Sequence, residues 1–233
     1  MKFFLAVAAI ATIVLAASHW SRFASLRRES HIRGAEFPRG LFEKLKSRHP
    51  HLSTKDCQLV AHGLRQFFLA HLKSGRKFVS MPSQVVDDLW HEYILHTKNY
   101  QVFCNSAFGR FLHHSPAAIL GSDRKRNEGL RRCWWYACRE ENINPRSATR
   151  LPLLFALDAK LDIPGGFRYV PDCSGVRRAG DHAGSASTYC GGDFASDAFD
   201  GGTDGFADGS PGSSDGGDGG GGGCGGGGCG GGD

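Results

Sequence analysis

The chain has 233 residues, enough for one ordinary folded domain with appendages, and its eight cysteines lack the spacing of a small disulfide-bonded scaffold. Its formal charge of +5 is unevenly divided: the residues from Pro171 onward hold ten Asp and two Arg, about −8, which leaves +13 for the first 170 residues. A basic body with an acidic tail fits an anionic partner such as a membrane surface or a nucleic acid, a tail that folds back on the body, or simple solubility.

The first predicted element is a membrane segment. Residues from Phe3 to Ala17 are apolar apart from Thr12, and Trp20 would lie at the membrane interface. A cleaved signal peptide and a permanent anchor both fit residues 1–20. Charge favours an anchor in the inner (plasma) membrane with the domain facing the cytoplasm, because Lys2 precedes the segment whereas four arginines follow it: Arg22, Arg27, Arg28 and Arg33. Export after cleavage is the alternative.

Residues 21–36 form a predicted basic linker, whose stretch Arg22–Arg33 can lie on anionic lipid. Helical patterns follow, and strand patterns are almost absent. The predicted helices cover residues 39–48, about 54–73 after a cap at Ser53 or Thr54, about 84–107 after a cap at Ser83, 123–139 and 150–161. We therefore predict an all-α fold, a small bundle-like helical domain over residues 37–165, with Cys57, Cys104, Cys133 and Cys138 as buried free thiols.

Residues 166–233 are predicted to be a disordered, acidic tail rich in glycine and cysteine. From Gly175 onward it holds 24 of the 33 glycines, and such a composition buries too little apolar surface to offset its chain entropy. Phe194, Phe199 and Phe206 would act as weak stickers within it. Cys224 and Cys229 would be exposed thiols, able to bind a soft metal or to form a disulfide. We expect the tail to be an interaction arm for an unidentified protein partner.

The densest group of chemically capable side chains lies between Asp87 and His114. Asp87 and His91 are one helical turn apart and share a face, so they can ligate one metal or contact each other. A turn at Gly109 lets the following residues double back toward that helix. The candidate ligands for zinc or iron are therefore Asp87, His91, His113 and His114, with Cys104 weaker because it shares the core face of the helix.

The favoured interpretation of this group is structural. In it, His91 is a buried histidine hydrogen-bonded to Asp87, and Trp90 and Tyr100 are ordinary core aromatics. Replacing His91 by Ala would then cost about 1–3 kcal/mol of stability. A metal site is the second interpretation and an acid–base site the third. The helical motif of zinc metalloproteases is absent, because its second histidine would have to stand where the chain has Leu95.

Other motifs of common enzyme classes are absent. The glycine runs lack the context of a nucleotide-binding loop, and there is no Gly-x-Ser-x-Gly elbow. Basic and aromatic residues alternate over 124–136, which is also typical of nucleic-acid binding. A solvated basic helix face explains that stretch more simply, so a nucleic-acid partner is not expected.

The run Val86-Asp87-Asp88-Leu89-Trp90-His91, continued by Tyr100, Cys104, Phe108-Gly109 and His113-His114, resembles the signature of the glycine-rich domain-containing protein-like family. The tail resembles the Gly/Cys-rich ends of bacterial membrane-anchored proteins that share this helical domain. The resemblance covers about residues 37–139 and the composition of the tail. It implies a helical domain with a glycine-rich end, and it implies no reaction.

The leading functional hypothesis is a single-pass membrane-anchored protein that acts as a non-enzymatic binding or scaffold module through its flexible tail. The alternative is a metal-binding protein or a metal-dependent enzyme, centred on Asp87, His91, His113 and His114. The two hypotheses differ in whether those side chains bind zinc or iron.

Overall fold

The computed structural model describes residues 2–114, 128–171 and 188–194, and within these ranges the fold is all-α as predicted. Two three-residue strands, β1 (Arg168–Val170) and β2 (Thr188–Cys190), pair in parallel, and a 3₁₀ turn over Gly191–Phe194 follows β2. The helices are α1 (Lys2–Arg33), α2 (Leu41–Arg48), α3 (Thr54–Lys73), α4 (Gln84–Leu95), α5 (Thr97–Phe108), α6 (Glu128–Glu140) and α7 (Leu153–Lys160).

Helix α1 runs without a break through the predicted membrane segment and most of the predicted linker. It is the one helix of the described residues that is long and apolar enough to cross a membrane, a test that a signal sequence also passes. Its residues 3–5 and 10–20 are exposed, whereas Ile32 is buried in the body. Arg28 donates to the carbonyl of Phe108 at 2.8 Å, and Arg33 pairs with Glu140. The end of α1 is therefore part of the folded domain and not a separate linker.

Helix α3 is the centre of the body and packs against α1, α2, α4, α6 and α7. It begins with a capping box, in which Ser53 and Asp56 each accept a hydrogen bond from the other's backbone N–H. Of the two predicted cap residues, Ser53 and Thr54, Ser53 is therefore the cap. Twelve of the twenty residues of α3 are buried, including Leu64, Phe67 and Phe68. Cys57, Cys104, Cys133 and Cys138 are buried and free, as predicted.

The single helix predicted over 84–107 is wrong, because the chain breaks at His96 into α4 and α5. His96 has a non-helical backbone, with φ −79° and ψ 59°. The break turns α5 back so that Tyr100 and Phe103 pack against Tyr93, with ring centroids 5.3 and 5.7 Å apart. Tertiary packing of these aromatic rings thus outweighs helix continuity at His96.

The packed body extends into the predicted tail. Phe194 is 2% exposed and lies among Trp134, Phe155 and Tyr169, with ring centroids 5.7 to 6.1 Å apart. Burial of one large aromatic side chain is worth about 2–3 kcal/mol, enough to hold a short segment on the body. The prediction that order ends near Gly166 is therefore wrong for residues 166–171 and 188–194. The remainder of the predicted tail, with Phe199, Phe206, Cys224 and Cys229, lies outside the described residues.

Candidate metal centre

Helix α4 carries the first two candidate ligands, and its N-terminus is firmly held. The Ser83 side chain accepts a hydrogen bond from the backbone of Val86 as the helix cap. The buried carboxylate of Asp158, from α7, accepts hydrogen bonds from the backbone N–H groups of Gln84 and Val85. Asp87 and His91 then follow within the first two turns, on one face of a fixed helix.

The chain brings its third ligand back to α4 through Gly109. This residue ends α5 in a left-handed conformation, with φ 73°, which glycine adopts without strain. The returning segment is then fixed by Tyr100, whose hydroxyl donates to the carbonyl of Leu112 at 2.6 Å. The indole N–H of Trp90 donates to the same hydroxyl at 3.1 Å. This connection between α4, α5 and Leu112 places His114 beside the Asp87 carboxylate.

Asp87, His91 and His114 form the cluster, and one ligand atom from each lies within 4.8 Å of the others. His114 Nε2 lies 3.0 Å from Asp87 Oδ1, and His91 Nδ1 lies 3.7 Å from Asp87 Oδ2. The two imidazole ring centroids are 4.2 Å apart, and Trp90 packs against the His114 ring at 4.7 Å. The His91 side chain is 44% exposed, whereas those of His114 and Asp87 are 15% and 20% exposed. The cluster therefore lies at the surface with one face open to solvent.

Three of the four predicted ligands thus come together, and the fourth does not. His113 packs its ring against Phe111, with centroids 4.8 Å apart, and is exposed. Successive residues of an extended segment point to opposite sides, which explains why His113 and His114 separate. Cys104 is fully buried, as its core position predicted, and burial raises the pKa of its thiol. The structural interpretation predicted that His91 is buried and hydrogen-bonded to Asp87. That prediction is wrong, because the hydrogen bond to Asp87 comes from His114.

A pocket of about 490 Å³ adjoins the cluster and shares Asp87 with it. Trp90 and His113 also line this pocket, together with residues of α3 and of the segments after α3 and α5. Arg76 and Arg110 also line the pocket, although no motif in the sequence singles them out. Each of the two arginines follows a glycine that ends a helix. A turn at such a position can present the next side chain to a cleft, so the helix-ending glycines are the sequence signal that could have identified these arginines.

The fold and the cluster together define an all-helical domain, carried on a long apolar N-terminal helix, with a surface Asp-His-His group beside a pocket. The sequence profile of the UCP032817-like family matches residues 27–194, and the chain belongs to that family. The match spans the packed body from the end of α1 to Phe194, the cluster included. Comparisons with curated proteins and with solved structures find no match. The resemblance to the glycine-rich domain-containing protein-like family stays a prediction.

Proposed function

We propose that the protein is a membrane-anchored metal-binding protein, whose site is formed by Asp87, His91 and His114 and takes zinc or iron. The observation that carries this proposal is the convergence of three ligand atoms, from residues as far as 27 positions apart, within 4.8 Å. Two imidazoles and one carboxylate are a donor set that both Zn²⁺ and Fe²⁺ accept. Three protein ligands leave coordination positions for water or for a substrate, as in catalytic metal sites.

The distances within the cluster suit such an ion. Ligand atoms about 2.1 Å from a tetrahedral ion lie about 3.4 Å from each other. The separations of His114 Nε2 from Asp87 Oδ1 and of His91 Nδ1 from Asp87 Oδ2, 3.0 and 3.7 Å, fall on either side of that value. In the metal-free protein a hydrogen bond joins His114 Nε2 to Asp87 Oδ1, and a bound cation would replace the bridging proton while the neutral imidazole carries its proton on Nδ1. Ligation needs neutral imidazoles and a charged carboxylate, so metal binding should weaken as the pH falls.

Metal content of the full chain tests the proposal. The protein should be purified in detergent without a His-tag, with Cys224 and Cys229 changed to Ser so that tail thiols bind no metal. After dialysis against zinc or ferrous iron, elemental mass spectrometry should find about one equivalent of metal, and His114→Ala and Asp87→Ala should lose it. His113→Ala is the matched control and should keep it. A folded protein without metal, or equal metal in His114→Ala, would refute the site.

The membrane topology is a second part of the proposal. We infer that α1 remains as an anchor in the inner membrane with the body in the cytoplasm, and the arginines that follow its apolar part support this orientation. One observation favours the opposite side: Cys190 is disulfide-bonded, and disulfides persist in oxidising compartments. A reporter enzyme fused after Asp233 separates the two, since a reporter active only outside the cytoplasm would overturn the cytoplasmic orientation.

The scaffold hypothesis rests on residues beyond the described ranges. The glycine-rich tail as an interaction arm, its protein partner, and the absence of a nucleic-acid partner therefore stay predictions. The metal site and a tail-borne interaction are compatible, because the cluster lies in the body. Deleting residues 195–233 should leave the metal content unchanged if the two are independent.

A further inference from the structure

The pocket beside the cluster has the size and the walls of a small-molecule site. Its volume of about 490 Å³ lies within the range of about 300–1,000 Å³ that is usual for such sites. Aromatic side chains form most of its apolar wall: Phe67, Phe78, Trp90, Phe111 and Phe167. Phe78 is 46% exposed, so its ring offers apolar surface to a ligand in the pocket.

Two arginines supply the positive charge of this pocket. Arg76 donates to the carbonyl of Phe108 at 2.8 Å, and Arg110 donates to the carbonyl of Arg76, so backbone contacts hold both guanidinium groups in place. Among the residues that the structure describes, neither arginine has a carboxylate within ion-pair distance. Each guanidinium carries five N–H donors, and the backbone contacts use only a part of them. The pair is thus prepared to receive an anion.

His71 contributes no charge to this end of the pocket. Burial, opposed by the hydrogen bond from Nδ1 to the Lys77 carbonyl and assisted by the charges of Arg110 and Arg76, lowers the pKa of His71 to about 4. The imidazole is therefore neutral at neutral pH and adds no charge to that of the two arginines. His71, Arg76 and Arg110 all line this pocket.

The backbone of Arg76 adds a separate argument. Its φ of 64° lies in the left-handed region, which a long side chain rarely adopts and which Gly or Asn would occupy more readily. Unfavourable backbone conformations of this kind concentrate at ligand-binding positions. An arginine kept in this conformation at the wall of a pocket points to a role for its side chain.

We propose that this pocket binds an organic anion, a carboxylate or a phosphate ester with an apolar body, whose charged group is held by Arg76 and Arg110. The apolar body lies along α3, from His71 toward Phe67 one helical turn away, both of which line the pocket. The ring centroids of Phe67 and Trp90 are 4.9 Å apart. The apolar body thereby approaches Asp87, the residue that the pocket shares with the cluster. The proposal does not depend on a bound metal.

Binding of a defined probe to the full chain tests this inference. The protein, in phosphatidylcholine nanodiscs and freed of metal with a chelator, is titrated with 2-naphthoate by calorimetry. We expect saturable binding, and we expect none of its neutral analogue 2-naphthylmethanol. Arg110→Gln and Arg76→Gln should each weaken binding at least tenfold. Arg39→Gln, at an exposed arginine outside the pocket, should leave it unchanged.

A second arm identifies the source of the anion. Arg76 also lines the groove between α1 and the body, where a lipid headgroup can reach it. If phosphatidylglycerol in the nanodisc weakens 2-naphthoate binding severalfold, the natural ligand is an anionic lipid, and if it does not, the ligand is a soluble anion. Equal binding of the alcohol, unchanged binding in folded Arg110→Gln and Arg76→Gln, or no binding of either 2-naphthoate or 2-naphthyl phosphate would overturn the proposal. Because the chain is metal-free, these outcomes are independent of the metal site.

Discussion

Changing Asp158 to Asn should strongly destabilise the protein, because this buried carboxylate connects α7 to the start of α4. Asp158 is 2% exposed. Its Oδ1 accepts from the Ser83 hydroxyl at 2.7 Å and from the Val85 N–H at 3.1 Å. Its Oδ2 accepts from the N–H groups of Gln84 and Phe167, at 2.7 and 2.8 Å. One carboxylate therefore satisfies four donors.

The magnitude follows from the donors left unpaired. In Asp158→Asn one oxygen becomes an NH₂ group, which faces either Gln84 and Phe167 or Ser83 and Val85. Two buried donors then lose their acceptor at about 1–3 kcal/mol each, so we expect a loss of about 3 kcal/mol. The negative charge that favours the N-terminus of α4 is lost as well. Asp158→Ala leaves all four donors without an acceptor. It should remove most of the free energy of unfolding, which is typically about 5–15 kcal/mol.

Unfolding of the full chain in detergent micelles by urea, followed by tryptophan fluorescence, measures the effect. Asp162→Asn is the matched control, because the side chain of Asp162 is exposed and pairs with the exposed Arg168, so the change should alter stability by less than about 1 kcal/mol. Asn also tolerates the positive φ of 49° at that position. If Asp158→Asn unfolded within 1 kcal/mol of the wild type, the idea that this carboxylate holds α4 would be refuted.

Three further changes test the core and the site. Since the folded protein binds a proton at His71 near pH 4 and the unfolded chain near 6.5, stability should be full above pH 6.5 and fall by about 3 kcal/mol as the pH drops to 4. Urea unfolding across this range should show that dependence, and His71→Asn, which keeps a donor for the Lys77 carbonyl, should lose it. Gly63→Ala should cost about 1–3 kcal/mol despite the better helix propensity of Ala, because the new Cβ would lie 2.4 Å from Leu157 Cδ1; a stabilised variant in the same assay would contradict this packing. Tyr100→Phe should weaken zinc affinity about 10–100-fold, because it releases Leu112 and with it His114. The control Tyr93→Phe should leave the zinc titration unchanged. Equal affinities in the two variants would show that the Tyr100 hydroxyl does not position His114.

Local signals in the sequence were enough for much of the fold. The cap at Ser53 or Thr54 and the helical spacing of the apolar residues predicted α3 correctly, and the glycine at Gly109 predicted the end of α5. The spacing of Asp87 and His91 also predicted correctly that they share a helix face. Each of these features depends on residues within one or two turns of each other, which a single sequence displays directly.

Features that depend on long-range contacts could not be predicted from local patterns in the sequence. The break at His96 exists because Tyr100 and Phe103 pack back on Tyr93, and no breaking residue marks it. Phe194 enters the core from a segment whose composition is that of a flexible coil. Four donors converge on Asp158 from α4 and from the segment after α7, a set that no local pattern shows. In each case the tertiary partner decides the outcome.

His91 distinguishes the structural and the metal interpretations of the cluster. Trp90 and Tyr100 fit both interpretations, because they are core aromatics whose hydrogen bonds also position His114. His91 is different: its side chain is 44% exposed and lies 3.7 Å from the Asp87 carboxylate, beyond a hydrogen bond.

An exposed imidazole of this kind contributes little to stability, so His91→Ala should change the free energy of unfolding by less than about 0.5 kcal/mol. The same variant should lose bound zinc, since two remaining ligands make a weak site. Urea unfolding of the metal-free proteins and elemental analysis of the zinc-loaded proteins give the two values. A loss of 1 kcal/mol or more with zinc retained would make His91 a structural residue after all.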